Sequence, residues 1–255
     1  MTSSETSALR HSDRTVRSVG DFISALYDTS RGGLVWYRGH ANTAWELVPS
    51  IARSTSDRSA ELTTIKRFKQ NAAPYLPQRP LDDWEWIFLM QHHRAPTRLL
   101  DWSESPIVAL YFALCEPLQD AHDAAIWCLD PIALNKLAGH IRGFDLDILA
   151  FGIDKSLDDY LPDHVNERLS KLNPIAAIGP RNSARMVAQS GAFTVMHAEP
   201  LPIESLANRQ HIWRILVPAD AKLRLREELK IMGISEHSLF PDLDRVAGVV
   251  KGLVS

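Results

Sequence analysis

The stretch Pro106–Leu114 reads P-I-V-A-L-Y-F-A-L and contains no charged residue. A helix that is apolar on almost every face cannot lie on a surface and must be packed on all sides. Its start is well specified. Ser105 suits the N-cap, and Pro106 at the first helical position has no amide to leave unpaired. A buried helix start still presents free amides and a positive dipole end to whatever lies before it. What lies before it is Gln91-His92-His93-Arg94-Ala95-Pro96-Thr97-Arg98-Leu99-Leu100-Asp101-Trp102-Ser103, the densest run of proton-handling side chains in the chain. This implies a cleft. The buried helix is its floor and the loop from Gln91 to Ser103 its wall, and amides, hydroxyls and a guanidinium together suit a phosphate.

The rest of the chain can support such a core. It has 255 residues, 45% of them apolar and 23% charged, which is ordinary globular composition and enough length to bury a core without staples. A net charge of -3 gives no bulk attraction to nucleic acid or acidic lipid. Cys115 and Cys128 both sit in apolar sequence and read as small core residues. Two cysteines make neither a disulfide framework nor a zinc site by themselves. The N-terminus is polar and lacks the apolar segment of a secretory signal, and the longest apolar run is too short for a bilayer. A cytoplasmic protein with no membrane partner is expected.

Residues 1–16 read as a disordered leader and 17–255 as one domain. Helical spacing covers Val19–Tyr27, Ala60–Asn71, Asp83–Met90 and Ala219–Met232,. A further helix runs from Pro131 to Leu137, capped by Asp130. Strands are expected at Leu34–Tyr37, Ala124–Leu129, Ile175–Ile178, Phe193–His197 and His211–Val217,. A last amphipathic helix closes the tail. Helices outnumber strands and do not alternate with them regularly. The fold class is therefore α+β, with a small mixed or antiparallel sheet flanked by helices.

Three groups of residues carry the candidate chemistry. Arg38 follows the first strand. Gly39 beside it allows a close backbone approach to a ligand, and His40 comes next. Gln91, His92, Arg98, Asp101, Trp102, Ser103 and Ser105 form the second group, with His92 a candidate acid or base. Gln189, before the Ser190-Gly191 turn, is the third, and Arg53 is a weaker relative of Arg38. Each also has a purely structural reading: Arg98 pairs with Asp101, His92 caps its helix, Trp102 is core. Adjacent His92 and His93 point about 100° apart on a helix, which disfavours a metal site. Phosphate-loop, dinucleotide-fingerprint, zinc-protease and nucleophile-elbow motifs are absent.

Tyr37-Arg38-Gly39, the run Gln91–Pro106 with its core P-T-R-L-L-D-W-S, and Val108–Ala113 (V-A-L-Y-F-A) together resemble the FRG domain. So do Arg185 with Gln189–Phe193, and Ser238–Asp244. The resemblance spans about residues 19 to 250, with Arg94 standing where that family usually has glycine. The family occurs in bacteria and phages, which implies a toxin or anti-phage defence setting. The same motifs are similar in kind and order to those of ADP-ribosyltransferases: an aromatic-Arg-Gly strand, then a Ser-rich strand end leading into an apolar helix. That likeness implies an ADP-ribosyltransferase-like fold and NAD as substrate, consumed by transfer or hydrolysis. Arg38 and the helix start at Ser105 would hold pyrophosphate, and His40 or His92 would contact ribose or nicotinamide. Trp102 would stack, and Asp101, Gln189 or Glu199 would serve the oxocarbenium-like transition state. Protein or nucleic acid is the implied acceptor. The residues also fit a nuclease or phosphodiesterase with His92 as acid or base, and a nucleotide sensor without turnover.

Overall fold

The structure is a computed structural model, and it describes residues 13–29, 33–54, 58–76, 78–139, 148–167, 171–180 and 183–241. Its frame is a single mixed sheet of eight strands. These are β1 (Arg14–Thr15), β2 (Trp36–His40), β3 (Leu99–Ser103), β4 (Ala124–Leu129), β5 (Leu149–Ala150), β6 (Ile175–Ile178), β7 (Gly191–Val195) and β8 (Ile212–Val217). Their spatial order is β1-β8-β4-β2-β3-β7-β6-β5. The edge pairs β1–β8 and β5–β6 are parallel and the inner pairs antiparallel.

The helices are α1 (Val19–Thr29), α2 (Ser50–Ser54), α3 (Arg58–Ala72), α4 (Asp83–His92) and α5 (Pro106–Leu114). They continue with α6 (Pro131–Ala138), α7 (Pro162–Glu167), α8 (Ala184–Ala188), α9 (Lys222–Ile231) and α10 (Glu236–Leu239). None is long and apolar enough to cross a membrane among the described residues.

Local chemistry accounts for much of this. Asp130 caps α6 by accepting from the Ala133 amide, with Pro131 at the first position,. Asp82 does the same for α4 through Glu85. Position 105 is the N-cap of α5, but the Ser105 side chain makes no capping bond. Its own amide donates to Ser103 Oγ at 3.0 Å instead.

Strand alternation divides the core. One face of the sheet carries two apolar clusters. The first joins Tyr37, Ile126, Cys128 and Trp213 to α1, α5 and α9, and the second joins Leu99, Phe193, Val195 and Ile175 to α4. The opposite face carries Trp36, Leu100, Trp102, Trp127 and Leu134. Gly39 and Asp101, in the middle of the first face, belong to neither of its clusters.

Several expectations change. The sheet is not small. Residues 99–103, read as loop, form a strand in mid-sheet. β2 runs on through Arg38, Gly39 and His40 rather than stopping before them. Arg14 and Thr15, assigned to the leader, pair with Ile215 and Leu216. The tail helix expected beyond Pro241 falls outside the described residues. Cys128 is buried as expected, whereas Cys115 is exposed.

Candidate functional site

The site begins with a gap in the sheet. β2 pairs with β4 along its whole length, from Trp36–Leu129 to His40–Ala125. It meets β3 at one register pair only, Tyr37–Ser103. Beyond that pair the ladder between the two central strands is open, and backbone groups there need other partners. The Arg38 side chain fills part of the opening, donating from Nη1 to the Asp101 carbonyl at 2.5 Å. Here lies a cleft of about 260 Å³.

Arg38 is held from behind. Its Nε donates to His40 Nε2 at 3.1 Å, and His40 Nδ1 lies 3.2 Å from the Trp45 carbonyl. Both contacts are satisfied only by a neutral imidazole protonated on Nδ1. Burial, reinforced by the Arg38 charge, pushes the His40 pKa down to about 3. Burial also lowers that of Arg38 to about 10, with Asp101 opposing and the nearby Arg53 adding to the effect. Arg38 stays charged at neutral pH and His40 does not. His40 therefore positions the arginine and has no proton to give.

Gly39 lines the cleft, and it also serves the packing of the sheet. A Cβ on it would fall 2.0 Å from the Ala109 carbonyl oxygen and 2.4 Å from the Ala113 amide nitrogen. The backbone of α5 approaches Gly39 closely. α5 then walls the cleft with its flank, Val108, Ala109 and Phe112, rather than with its capped start, and Ser105 is not in the lining.

The signature run resolves into a hydrogen-bond chain. Gln91 Nε2 donates to Asp101 Oδ2 at 2.7 Å, and the Thr97 hydroxyl donates to Gln91 Oε1. These two contacts fix the orientation of the Gln91 amide. Thr97 in turn is tied to α2: its amide donates to Ser50 Oγ at 3.1 Å and its carbonyl accepts from the Ile51 amide at 3.1 Å. α2 carries Arg53 into the cleft wall. Gln91 itself is not in the lining; it orients Asp101, whose other oxygen, Oδ1, accepts no hydrogen bond among the described residues.

Other candidates sit elsewhere. Arg98 is buried and paired not with Asp101 but with Glu61 on α3, Nε to Oε1 at 2.8 Å and Nη2 to Oε2 at 2.5 Å. It fastens α3 under the sheet and never reaches the cleft. Trp102 borders the cleft, but its ring belongs to the opposite-face core and its Nε1–H donates to Thr194 at 2.9 Å. It cannot stack on a ligand. His92, exposed at the end of α4, is absent from the lining. Burial, with His93 and then Arg185, lowers its pKa. Glu199 pairs with Lys171. Ser103 is in the lining, but its hydroxyl is committed, donating to the Gln189 carbonyl at 2.6 Å and accepting from the Ser105 amide. Gln189 lines the cleft with its amide tied to the Leu239 carbonyl at 3.0 Å.

The lining also contains residues that were missed or weighted too lightly. Trp45 stands half-buried beside His40, rings 5.9 Å apart and edge-on. It is the aromatic surface Trp102 was expected to supply. A lone tryptophan in the polar turn A-N-T-A-W-E was the available signal. Arg53, Glu116 and Arg185 complete the charged lining, with the Arg185 guanidinium 4.9 Å from the Phe240 ring centre. Phe240 also meets Phe112 edge-on at 5.9 Å. Three arginines thus face two carboxylates, Asp101 and Glu116, and the cleft is net cationic.

The FRG domain family model matches residues 33–122. The chain contains an FRG domain. Its match takes in β2, α2, α3, α4, β3 and α5, and so supplies Arg38, Trp45, Arg53, Asp101 and Glu116. Arg185 and Gln189 come from beyond it. Comparison with curated proteins and with solved structures found no match.

Proposed function

We propose that the cleft binds NAD and breaks its nicotinamide–ribose bond, so that the FRG domain belongs to an NAD-consuming enzyme. One observation supports this above the others. At the opening between β2 and β3, a fixed guanidinium, that of Arg38, lies beside a carboxylate, that of Asp101, which has one oxygen held and one open. Breaking the bond leaves the pair of bonding electrons on nicotinamide and develops positive charge on the ribose. Water or an acceptor then bonds to the same carbon. A fixed carboxylate favours that developing charge in a partly dry site, and arginines hold the diphosphate. Trp45 offers its face to an aromatic ring. The cleft volume of about 260 Å³ is just below the roughly 300–1,000 Å³ of small-molecule sites. It fits the reacting nicotinamide riboside end, with the adenosine end outside.

The nuclease reading receives less support, because His92 lies outside the lining and His40 is held neutral. The sensor reading uses the same cleft and differs only in the absence of product. The test is to incubate the purified chain with NAD, alone and with candidate protein or nucleic-acid acceptors, and to follow nicotinamide release by chromatography. Release that disappears in Asp101→Asn supports the proposal. Tight binding without release over hours supports the sensor. No binding and no release defeats both.

A further inference from the structure

Several arginines in this fold are paired with carboxylates: Arg17 with Asp220, Arg98 with Glu61, Arg214 with Asp13, Arg224 with Glu228 and Arg226 with Asp120. Two arginines that line the same cleft, Arg38 and Arg53, have no carboxylate contact among the described residues. Arg38 spends its two contacts on neutral acceptors, the His40 ring and the Asp101 carbonyl. The Arg53 side chain has no hydrogen bond or ion pair among the described residues; its backbone amide donates to the Pro49 carbonyl. It is close enough to Arg38 and His40 to disfavour positive charge on both. The Asp101 carboxylate does not neutralise them by direct contact, since its one hydrogen bond comes from Gln91. The two guanidiniums repel each other, while the Asp101 charge favours that of Arg38 from across the cleft,.

The placement of Arg53 is fixed by the fold. α2 is anchored at its start to Thr97 through Ser50 and Ile51. The same Thr97 locks Gln91, and Gln91 locks Asp101. One chain of contacts thus places the open carboxylate and the backbone that carries the second arginine relative to each other. Such an arrangement matches a ligand that presents an anionic group at a set distance from the atom being worked on.

We infer that Arg53 and Arg38 together form a phosphate-binding cradle, and that Arg53 sets the specificity of the cleft for a ligand carrying a phosphate or diphosphate. Arg38 contributes the fixed edge. Arg53, exposed and uncommitted, contributes the arm that closes on the anion, with the forked geometry that planar oxyanions accept. This inference rests on the proposed function for the identity of the rest of the ligand, but not for the anion.

Calorimetric titration of the full chain with ADP, adenosine and inorganic pyrophosphate tests it. ADP is expected to bind at least about tenfold more tightly than adenosine. Arg53→Ala should remove that advantage while leaving adenosine binding unchanged, and Arg53→Lys should keep part of it. Because Arg53 is exposed, Arg53→Ala should unfold at the same denaturant concentration as the parent, which separates lost binding from lost fold. Equal binding of ADP and adenosine, failure of both ADP and pyrophosphate to bind, or an Arg53→Ala chain that binds ADP as the parent does would each overturn the inference. If ADP binds through Arg53 and NAD is not consumed, the cradle stands and the NAD proposal fails. If Arg53→Ala consumes NAD with an unchanged KM, the cradle fails and the NAD proposal stands.

Discussion

Replacing Gly39 by alanine separates the helix-packing account of this residue from the ligand-approach account. The added Cβ would lie 2.0 Å from the Ala109 oxygen, 2.4 Å from the Ala113 nitrogen and 3.0 Å from the Phe112 carbonyl carbon. All three are backbone atoms of α5, so no side chain can swing aside. Ordinary contact requires the helix to lift from β2 by about 1.4 Å, and forced overpacking of this kind costs about 1–3 kcal/mol. The lift also thins the contacts of Ala109, Leu110 and Ala113, each at most 1% exposed. A gap of even about 1 Å forfeits a quarter to a half of the dispersion energy of each atom pair. Over roughly 30 pairs at ~0.15 kcal/mol, that adds about 1–2 kcal/mol. Gly39→Ala is thus expected to lose about 3 kcal/mol or more, a large part of a typical domain's stability. Urea unfolding followed by circular dichroism reads this as a lower midpoint at an unchanged slope. Gly20→Ala is the control. Its nearest neighbour would be Ser18 Oγ at 3.7 Å, and it should be neutral or stabilising by up to about 1 kcal/mol. A Gly39→Ala midpoint that matches the parent's would refute the reasoning, since the helix would then have had room all along.

Three more outcomes follow from the same structure. Arg98→Met alone should cost about 3–5 kcal/mol by stranding a buried Glu61, and Arg98→Met with Glu61→Leu should recover most of it in a double-mutant cycle. Arg94 takes a left-handed backbone, φ 61°, so Arg94→Gly should raise stability by about 1 kcal/mol in the same unfolding assay, and a loss would count against strain at this turn. His40, with its folded pKa depressed to about 3, is neutral in the fold, while the unfolded chain takes up a proton below about pH 6.5. Its contribution is therefore intact above that pH and is lost as pH falls toward 3, by up to about 1.4 kcal/mol per pH unit, and His40→Gln should flatten the slope. An imidazole resonance titrating near pH 6.5 would contradict this.

How much the sequence could reveal depended on the range of each signal. Helix α6 with its Asp130-Pro131 start, strand β4 and the buried α5 were readable because cap, proline and apolar run lie within a few residues of one another. Strand β3 was taken for loop because L-L-D-W-S buries apolar side chains on both faces and exposes only Asp101, which removes the period-two alternation that marks a half-exposed strand. Gly39 was correctly read as a site of close approach, but the approaching partner lies 70 residues and more along the chain. Arg98 was assigned to the cleft as a guanidinium in the polar run, with a pair to Asp101 as its structural reading, whereas its actual partner, Glu61, is on another helix. The polar run did contain the site's logic, in that Gln91, Thr97 and Asp101 form one hydrogen-bonded chain. The cleft also needed Trp45 and Arg53, whose relation to that run exists only once Thr97 meets Ser50.

The account rests on the claim that the opening between β2 and β3 is a nucleotide site with its phosphates on Arg38 and Arg53. A crystal structure of the full chain soaked with ADP-ribose tests it most directly. The expected result places the diphosphate against those two guanidiniums and the terminal ribose beside the Asp101 carboxylate. A well-ordered ligand bound at another surface, with this cleft empty, would contradict it.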